Sequence, residues 1–126
     1  VRVLTWDEFD AAVAKIAARV GGKVTGVYGL PRGGLPLAVA LSHRLGVPML
    51  QAPEPGALVV DDVYETGRTL APFRDAPWLV AVWISKAEPA WWQAAEVVSS
   101  REWLVFPWEN PATAHNDEET YRASRE

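Results

Sequence analysis

The chain has no cysteine and a single methionine among its 126 residues. Without thiols it can form neither disulfides nor thiolate metal centres, a composition that suits a reducing compartment. No apolar run approaches the ~20 residues that span a bilayer. No basic start leads into an apolar stretch of the kind a secretory leader carries. The expectation is a cytoplasmic protein with no membrane partner. An excess of positive charge is missing too, because 16 Asp and Glu outnumber 12 Lys and Arg. Proteins that neutralise nucleic-acid phosphates need the opposite balance, so nucleic acid is not an expected partner. No internal repeat or low-complexity segment occurs.

What is present reads as one α/β domain over residues 1–110 and a polar tail over 111–126. Thr5-Trp-Asp-Glu8 has the form of a capping box, and Leu4 and Phe9 stand at the positions of a hydrophobic staple. Phe9, Val13, Ile16 and Val20 continue at helical spacing until Gly21-Gly22. A short strand is expected over 24–28, a helix over 35–45 ending at Gly46, and a further short strand over 47–50. Ala52-Pro-Glu-Pro-Gly56 is a turn. The apolar run 57–61 suits a parallel strand covered on both faces. A short helical turn is expected from about Arg68 to before Pro77. Strands follow over 78–85, 96–98 and 103–106. The tail carries helical potential over 117–124. Seven tryptophans call for a core or a subunit interface. Trp78, Trp83, Trp91 and Trp92 are many large rings for a small core, so self-association is expected.

Strands alternating with helices imply a mostly parallel central sheet flanked by helices, with ligands beyond the carboxyl ends of its strands. Two loops fall at such ends. Thr66-Gly67-Arg68-Thr69 joins a strand to an expected helix start, where backbone N–H groups, two hydroxyls and the helix dipole would meet an anion. The spacing is not that of a Walker loop, and its Lys is absent. Asp61 and Asp62 stand just before. They suit a hydrated Mg²⁺ or a pair of sugar hydroxyls, although a solvated strand end would also account for a bare Asp-Asp. Adjacent strand residues point to opposite faces, so only one of the two is expected to face a ligand squarely. In Pro31-Arg32-Gly33-Gly34 the glycines expose backbone donors, and Arg32 could clamp a second phosphate. Two anion loops flanking an acidic strand end suggest a substrate with phosphates at both ends and a diol between.

Val59-Val-Asp-Asp-Val-Tyr-Glu-Thr-Gly-Arg-Thr69 resembles the phosphoribosyl-pyrophosphate motif of the type I phosphoribosyltransferases. Tyr28-Gly-Leu-Pro-Arg-Gly-Gly34 resembles the pyrophosphate loop of that family. Trp83-Ile-Ser-Lys86 and Glu102-Trp-Leu-Val-Phe-Pro-Trp-Glu109 resemble the base-binding end of the xanthine-guanine phosphoribosyltransferases. The resemblance runs from about Lys23 to Asn110. It implies a minimal version of that fold with a small C-terminal hood over the base. It also implies Mg²⁺-dependent transfer of ribose 5-phosphate from phosphoribosyl pyrophosphate to a 6-oxopurine, in purine salvage, by a homodimer or larger assembly.

Residue by residue, the resemblance gives Glu65, Thr66, Gly67, Arg68 and Thr69 to the 5′-phosphate loop, and Asp61 and Asp62 to the ribose hydroxyls and the metal. It gives Arg32 and Gly33 to pyrophosphate, with a cis peptide at Pro31–Arg32. It gives Lys86 to the purine O6, Trp103 to stacking on the ring, and Leu104 and Glu109 to the rest of the base pocket, with Trp108 at its far side or in packing. Arg32 would steady the leaving group, and Glu65 stands where relatives carry an Asp as a candidate base. The chain departs from the family between Leu50 and Ala57, where only six residues, two of them Pro, stand in place of a mobile lid. An open site, cover from the tail or a partner subunit, or binding of phosphoribosyl pyrophosphate or a purine mononucleotide without turnover would each follow.

Overall fold

The structure, a computed structural model, describes residues 1–113. The helix expected over 117–124 lies outside the described residues. Helix α1 (Trp6–Val20) begins as its sequence demands: Thr5 Oγ1 accepts from the Glu8 N–H at 3.1 Å, and a Glu8 carboxylate oxygen accepts from the Thr5 N–H at 3.2 Å. Leu4 and Phe9 are both buried in the main core. Helix α2 (Leu35–Leu45) ends at Gly46, whose φ of 67° is the left-handed conformation of a helix C-terminus. No helix among the described residues is long and apolar enough to cross a membrane.

The main sheet is four-stranded and parallel, in the order β2 (Gly26–Gly29), β3 (Ala57–Tyr64), β4 (Leu79–Ser85), β5 (Gln93–Val97). The segment expected as a strand over 47–50 contributes a single bridge, Met49 to Val27. A second, two-stranded parallel sheet joins β1 (Arg2–Val3) to β6 (Leu104–Val105). Strand β1 has no counterpart among the expected elements, and β6 leaves the main sheet to pair with it, forming the hood. Arg2 N–H donates to the Trp103 carbonyl at 2.9 Å and Leu4 N–H to that of Val105 at 2.8 Å.

Alternation along the strands divides the core in two. Val27, Leu58, Val60, Ala81 and Trp83 face α1 and α2. Val59, Val80, Val82 and Ala94 face the other way, onto Leu70 and Trp92 and, around them, Tyr28, Tyr64, Phe73, Trp78 and Trp91. No long helix covers that second face among the described residues; after β3 the chain makes only a three-residue 3₁₀ turn (Ala71–Phe73). Pro72 lacks the N–H that a helix would use, and Arg74 is already extended. The rings therefore replace a helix. Trp83 and Trp92 are 1% and 7% exposed inside the subunit, and Trp78 and Trp91 pack on neighbouring rings. Trp78, Trp83, Trp91 and Trp92 thus all pack within one chain, whereas Trp6 stays 52% exposed.

Candidate functional site

Strands β2 and β3 are neighbours, so the loops that follow them open at one end of the sheet. Strand β2 ends at Gly29 opposite Val60, and residues 61–64 of β3 project beyond it. On that side the Asp62 N–H has lost its strand partner, and Asp61 Oδ1 accepts from it at 2.9 Å. Asp62 Oδ1 in turn accepts from the Val63 N–H at 2.8 Å. Burial holds a proton on Asp61 above the usual carboxylate range. Burial, with the neighbouring Asp61 charge, pushes Asp62 up to about 8. Both acids line one cavity of about 260 Å³. By alternation the two side chains leave opposite faces of β3, and the Asp62 carboxylate is the one that lies against Gly33.

The first loop meets this site through Gly33. A side chain there would collide with the Asp62 carboxylate, so only glycine lets the loop backbone sit against the acid. The Leu30 N–H donates to the Val60 carbonyl at 3.0 Å and the Gly34 N–H to that of Leu30 at 2.9 Å, which pins the loop to β3. The Pro31–Arg32 peptide is cis, as the family resemblance implied. Arg32 is exposed and, like Gly33, stands beside the cavity rather than in its wall.

The second loop, Glu65 to Thr69, forms a cavity wall. Gly67 holds a φ of 81°, a conformation open to glycine. Its carbonyl accepts from the Ala71 N–H at 2.9 Å, closing the loop into the 3₁₀ turn. The short helical turn expected from Arg68 is present as a turn that runs into the 3₁₀ turn Ala71–Phe73, too short to carry the dipole of an α-helix. The backbone donors, the exposed Thr66 and Thr69 hydroxyls and the exposed Arg68 remain. The Arg68 N–H is only loosely engaged, 3.5 Å from Thr66 Oγ1.

The opposite wall belongs to β4 and the hood. The Lys86 N–H donates to the Tyr64 carbonyl at 2.8 Å, which sets Lys86 beside Glu65 one step beyond the paired strands. Its ammonium meets Glu65 Oε1 at 2.7 Å and donates to the Glu102 carbonyl at 2.7 Å. An ammonium has three donors, so one remains for a ligand. Trp103, Leu104, Phe106 and Glu109 complete the wall. Glu109 Oε1 accepts from the Phe106 N–H at 2.8 Å, bracing the hood's return. Trp108 is packing: its ring stacks on Phe106 with centroids 5.2 Å apart and meets Phe9 and Trp83.

The structure thus gathers Asp61, Asp62, Glu65–Thr69, Lys86, Trp103, Leu104 and Glu109 around one cavity, with Arg32 and Gly33 adjoining. Tyr64, Val63, Leu70 and Phe106 also line it and were not anticipated. Val63 and Tyr64 lie inside the 59–69 motif and Phe106 inside the 102–109 segment, so position within those stretches is the signal that could have found them. Among the described residues no group of three or more His, Cys, Asp or Glu forms a metal cage. Two adjoining hard oxygen donors with raised proton affinity do fit a divalent cation that keeps water or substrate oxygens. The six-residue linker runs at the other end of the sheet. Gly56 accepts from the Thr25 N–H at 3.0 Å and donates to the Pro77 carbonyl at 2.8 Å, both at the amino ends of strands. It cannot cover the cavity.

No family model and no curated protein matches the chain. Solved structures do. A purine phosphoribosyltransferase from Pyrococcus horikoshii Ot3 superposes with a TM-score of 0.70 at 27% identity, over 86% of this chain and 94% of that one. The Helicobacter pylori xanthine-guanine-hypoxanthine phosphoribosyltransferase gives 0.66 at 16% identity, over 92% and 98%. A hypothetical protein from Neisseria gonorrhoeae with bound ppGpp gives 0.63 at 16% identity, over 97% of both chains. The architecture, a parallel sheet flanked by helices, is that of the type I phosphoribosyltransferases.

Proposed function

We propose that this chain transfers ribose 5-phosphate from phosphoribosyl pyrophosphate to a 6-oxopurine, with release of pyrophosphate, as a step of purine salvage. The observation that carries the reading is the placement of Lys86. It stands in the wall of the cavity that also holds the Thr66–Thr69 loop and the two acids. Its ammonium is fixed by Glu65 and the Glu102 carbonyl. A fixed donor-only group selects an oxygen at the purine 6-position over the amino group of adenine, a mismatch worth about 10⁴-fold when left unpaired.

In this reading the Thr66–Thr69 loop grips the 5′-phosphate, Arg32 and Gly33 hold pyrophosphate, and Trp103 stacks on the purine with Leu104 at its edge. Glu109 bounds the far side of the base. The C1–oxygen bond breaks with its electrons leaving on pyrophosphate, a ring nitrogen of the purine forms the new bond to C1, and that base loses one proton. Glu65 is the candidate acceptor for the proton and also positions Lys86. Mg²⁺, held by Asp61 and Asp62 with substrate oxygens, would neutralise charge on the departing pyrophosphate. Holding the base in line with C1 supplies the rest.

A second reading draws on the linker. With residues 51–56 at the far end of the sheet, nothing in that stretch excludes water from the cavity. A protein that binds phosphoribosyl pyrophosphate or a purine mononucleotide as a signal, without turnover, has no need of such cover. Steady-state assays with xanthine, guanine, hypoxanthine and adenine, phosphoribosyl pyrophosphate and Mg²⁺ separate the two. The enzyme reading expects turnover of an oxopurine, discrimination against adenine, and loss of that turnover in Lys86→Ala. Tight mononucleotide binding with no turnover of any base would move the protein to the second class.

A further inference from the structure

Tyr64 is the last residue of β3, immediately before the anion loop. Its ring lies flat on Trp92, with centroids 3.7 Å apart and planes 11° from parallel. Trp91 meets the same ring edge-on at 6.3 Å. Trp92 is itself fixed, since its indole N–H donates to Ser85 Oγ at 3.1 Å and that hydroxyl donates to the Ala87 carbonyl at 2.6 Å. The phenol therefore has little freedom.

Its hydroxyl ends against Gly67. A methyl group at that glycine would run into it, and Tyr64 lines the same cavity as the loop. Yet among the described residues the Tyr64 hydroxyl makes no hydrogen bond, while the Trp92 indole N–H and the Ser85 hydroxyl beneath it both have partners. A tyrosine hydroxyl in a half-buried setting ordinarily finds one. It is a donor in want of an acceptor, at the base of a loop that offers donors and lacks a helix dipole.

We infer that the Tyr64 hydroxyl is a direct ligand of the phosphate bound by the Thr66–Thr69 loop, donating to one of its oxygens alongside the two threonines. This inference rests on the proposed placement of the 5′-phosphate in that loop, and not on the transfer reaction. Tyr64 takes over part of what an α-helix start would contribute, and the Trp92 stack fixes its reach.

The test is titration of the full chain and of Tyr64→Phe with ribose 5-phosphate, followed calorimetrically, together with thermal melts. Phe preserves the ring stack. The expected result is affinity weakened about tenfold, as for loss of a neutral donor to a charged acceptor, with the melting temperature within ~2 °C of the parent. Equal affinity overturns the inference. So does a parent chain that fails to bind ribose 5-phosphate, or a variant whose affinity and melting temperature collapse together, which would assign Tyr64 to the scaffold. A parent with no transfer activity that still shows the tenfold loss would remove the proposed reaction and leave the ligand in place. Active transfer with an unchanged KM for phosphoribosyl pyrophosphate in the variant would do the reverse.

Discussion

The two faces of the central sheet are covered by different means. One is packed by α1 and α2 through aliphatic side chains such as Ile16, Leu37 and Leu41. The other is packed by rings from the loops around a three-residue 3₁₀ turn. A helix carries its own hydrogen bonds and can cover a sheet without help from the site. A loop cannot, and here the rings that cover the sheet are continuous with the proposed phosphate loop: Tyr64 stacks on Trp92 and abuts Gly67. The helix face should therefore set stability alone, while the ring face should set stability and anion affinity together.

The sharpest way to break this comparison is a pair of core truncations. Ile16→Ala, at a position 0% exposed on α1, removes aliphatic packing on the helix face. Trp92→Leu removes the platform under Tyr64. Each is expected to cost roughly 2–5 kcal/mol in denaturant melts. Per folded molecule, Ile16→Ala should bind ribose 5-phosphate as the parent does, and Trp92→Leu should bind it at least several-fold more weakly. Equal losses of affinity in the two variants would mean that the faces are not distinct.

This asymmetry also marks what the sequence disclosed. Helix α2 was legible because its limits are local: Gly34 before it, Gly46 after it and apolar residues at helical spacing between. The capping box at Thr5 and Glu8 is local for the same reason. The composition of the site was legible because Asp61 to Thr69 are contiguous. The remainder depends on partners distant in the chain. Tyr64 and Trp92 meet only when β3, β4 and β5 align, and Glu65 finds Lys86 through the register of β3 with β4. A two-residue strand such as β1 carries no periodicity at all. The expected helix after Arg68 shrank to 3₁₀ because Pro72 sits inside it, while the rings that replace it come from residues far apart.

A smaller effect is expected at Asp62, where the faces meet. By alternation Asp62 falls on the side of Leu58 and Val60, against Gly33, and Asp61 on the side of Val59. In the folded chain burial keeps a proton on Asp62 up to about pH 8, whereas an unfolded Asp ionises near pH ~4. Between these limits the native state holds more protons, so this group's contribution to stability falls as pH rises through that window. Asp62→Asn should flatten the decline. Its melting temperature at pH 8 should exceed the parent's by about 3 °C or more, with no gain near pH 4, while transfer activity is lost. A variant less stable than the parent at pH 8 would contradict the assigned burial.

The smallest expected effect tests whether the hood belongs to the helix face alone. Strand β1 holds β6 by only two residue pairs, and Arg2 supplements them. Its guanidinium meets Glu96 on β5 at 2.6 Å and Glu8 on α1 at 2.8 Å. The hydrogen bond to Arg2 holds the Glu8 carboxyl below the usual carboxylate range. Glu8 keeps its bonds to Thr5 without Arg2, so the helix cap should survive Arg2→Ala. All three side chains are partly exposed, and such pairs contribute about 0.2–1 kcal/mol, less at high salt. Arg2→Ala is therefore expected to lower the melting temperature by a few degrees at low ionic strength and less at 1 M salt. Looser anchoring of Trp103 and Leu104 should raise KM for the purine about twofold, an effect of ~0.4 kcal/mol, and leave KM for phosphoribosyl pyrophosphate unchanged. An equal rise in both constants would place the hood's anchor beneath the ring face as well, and the division between the faces would then stop short of the proposed base pocket.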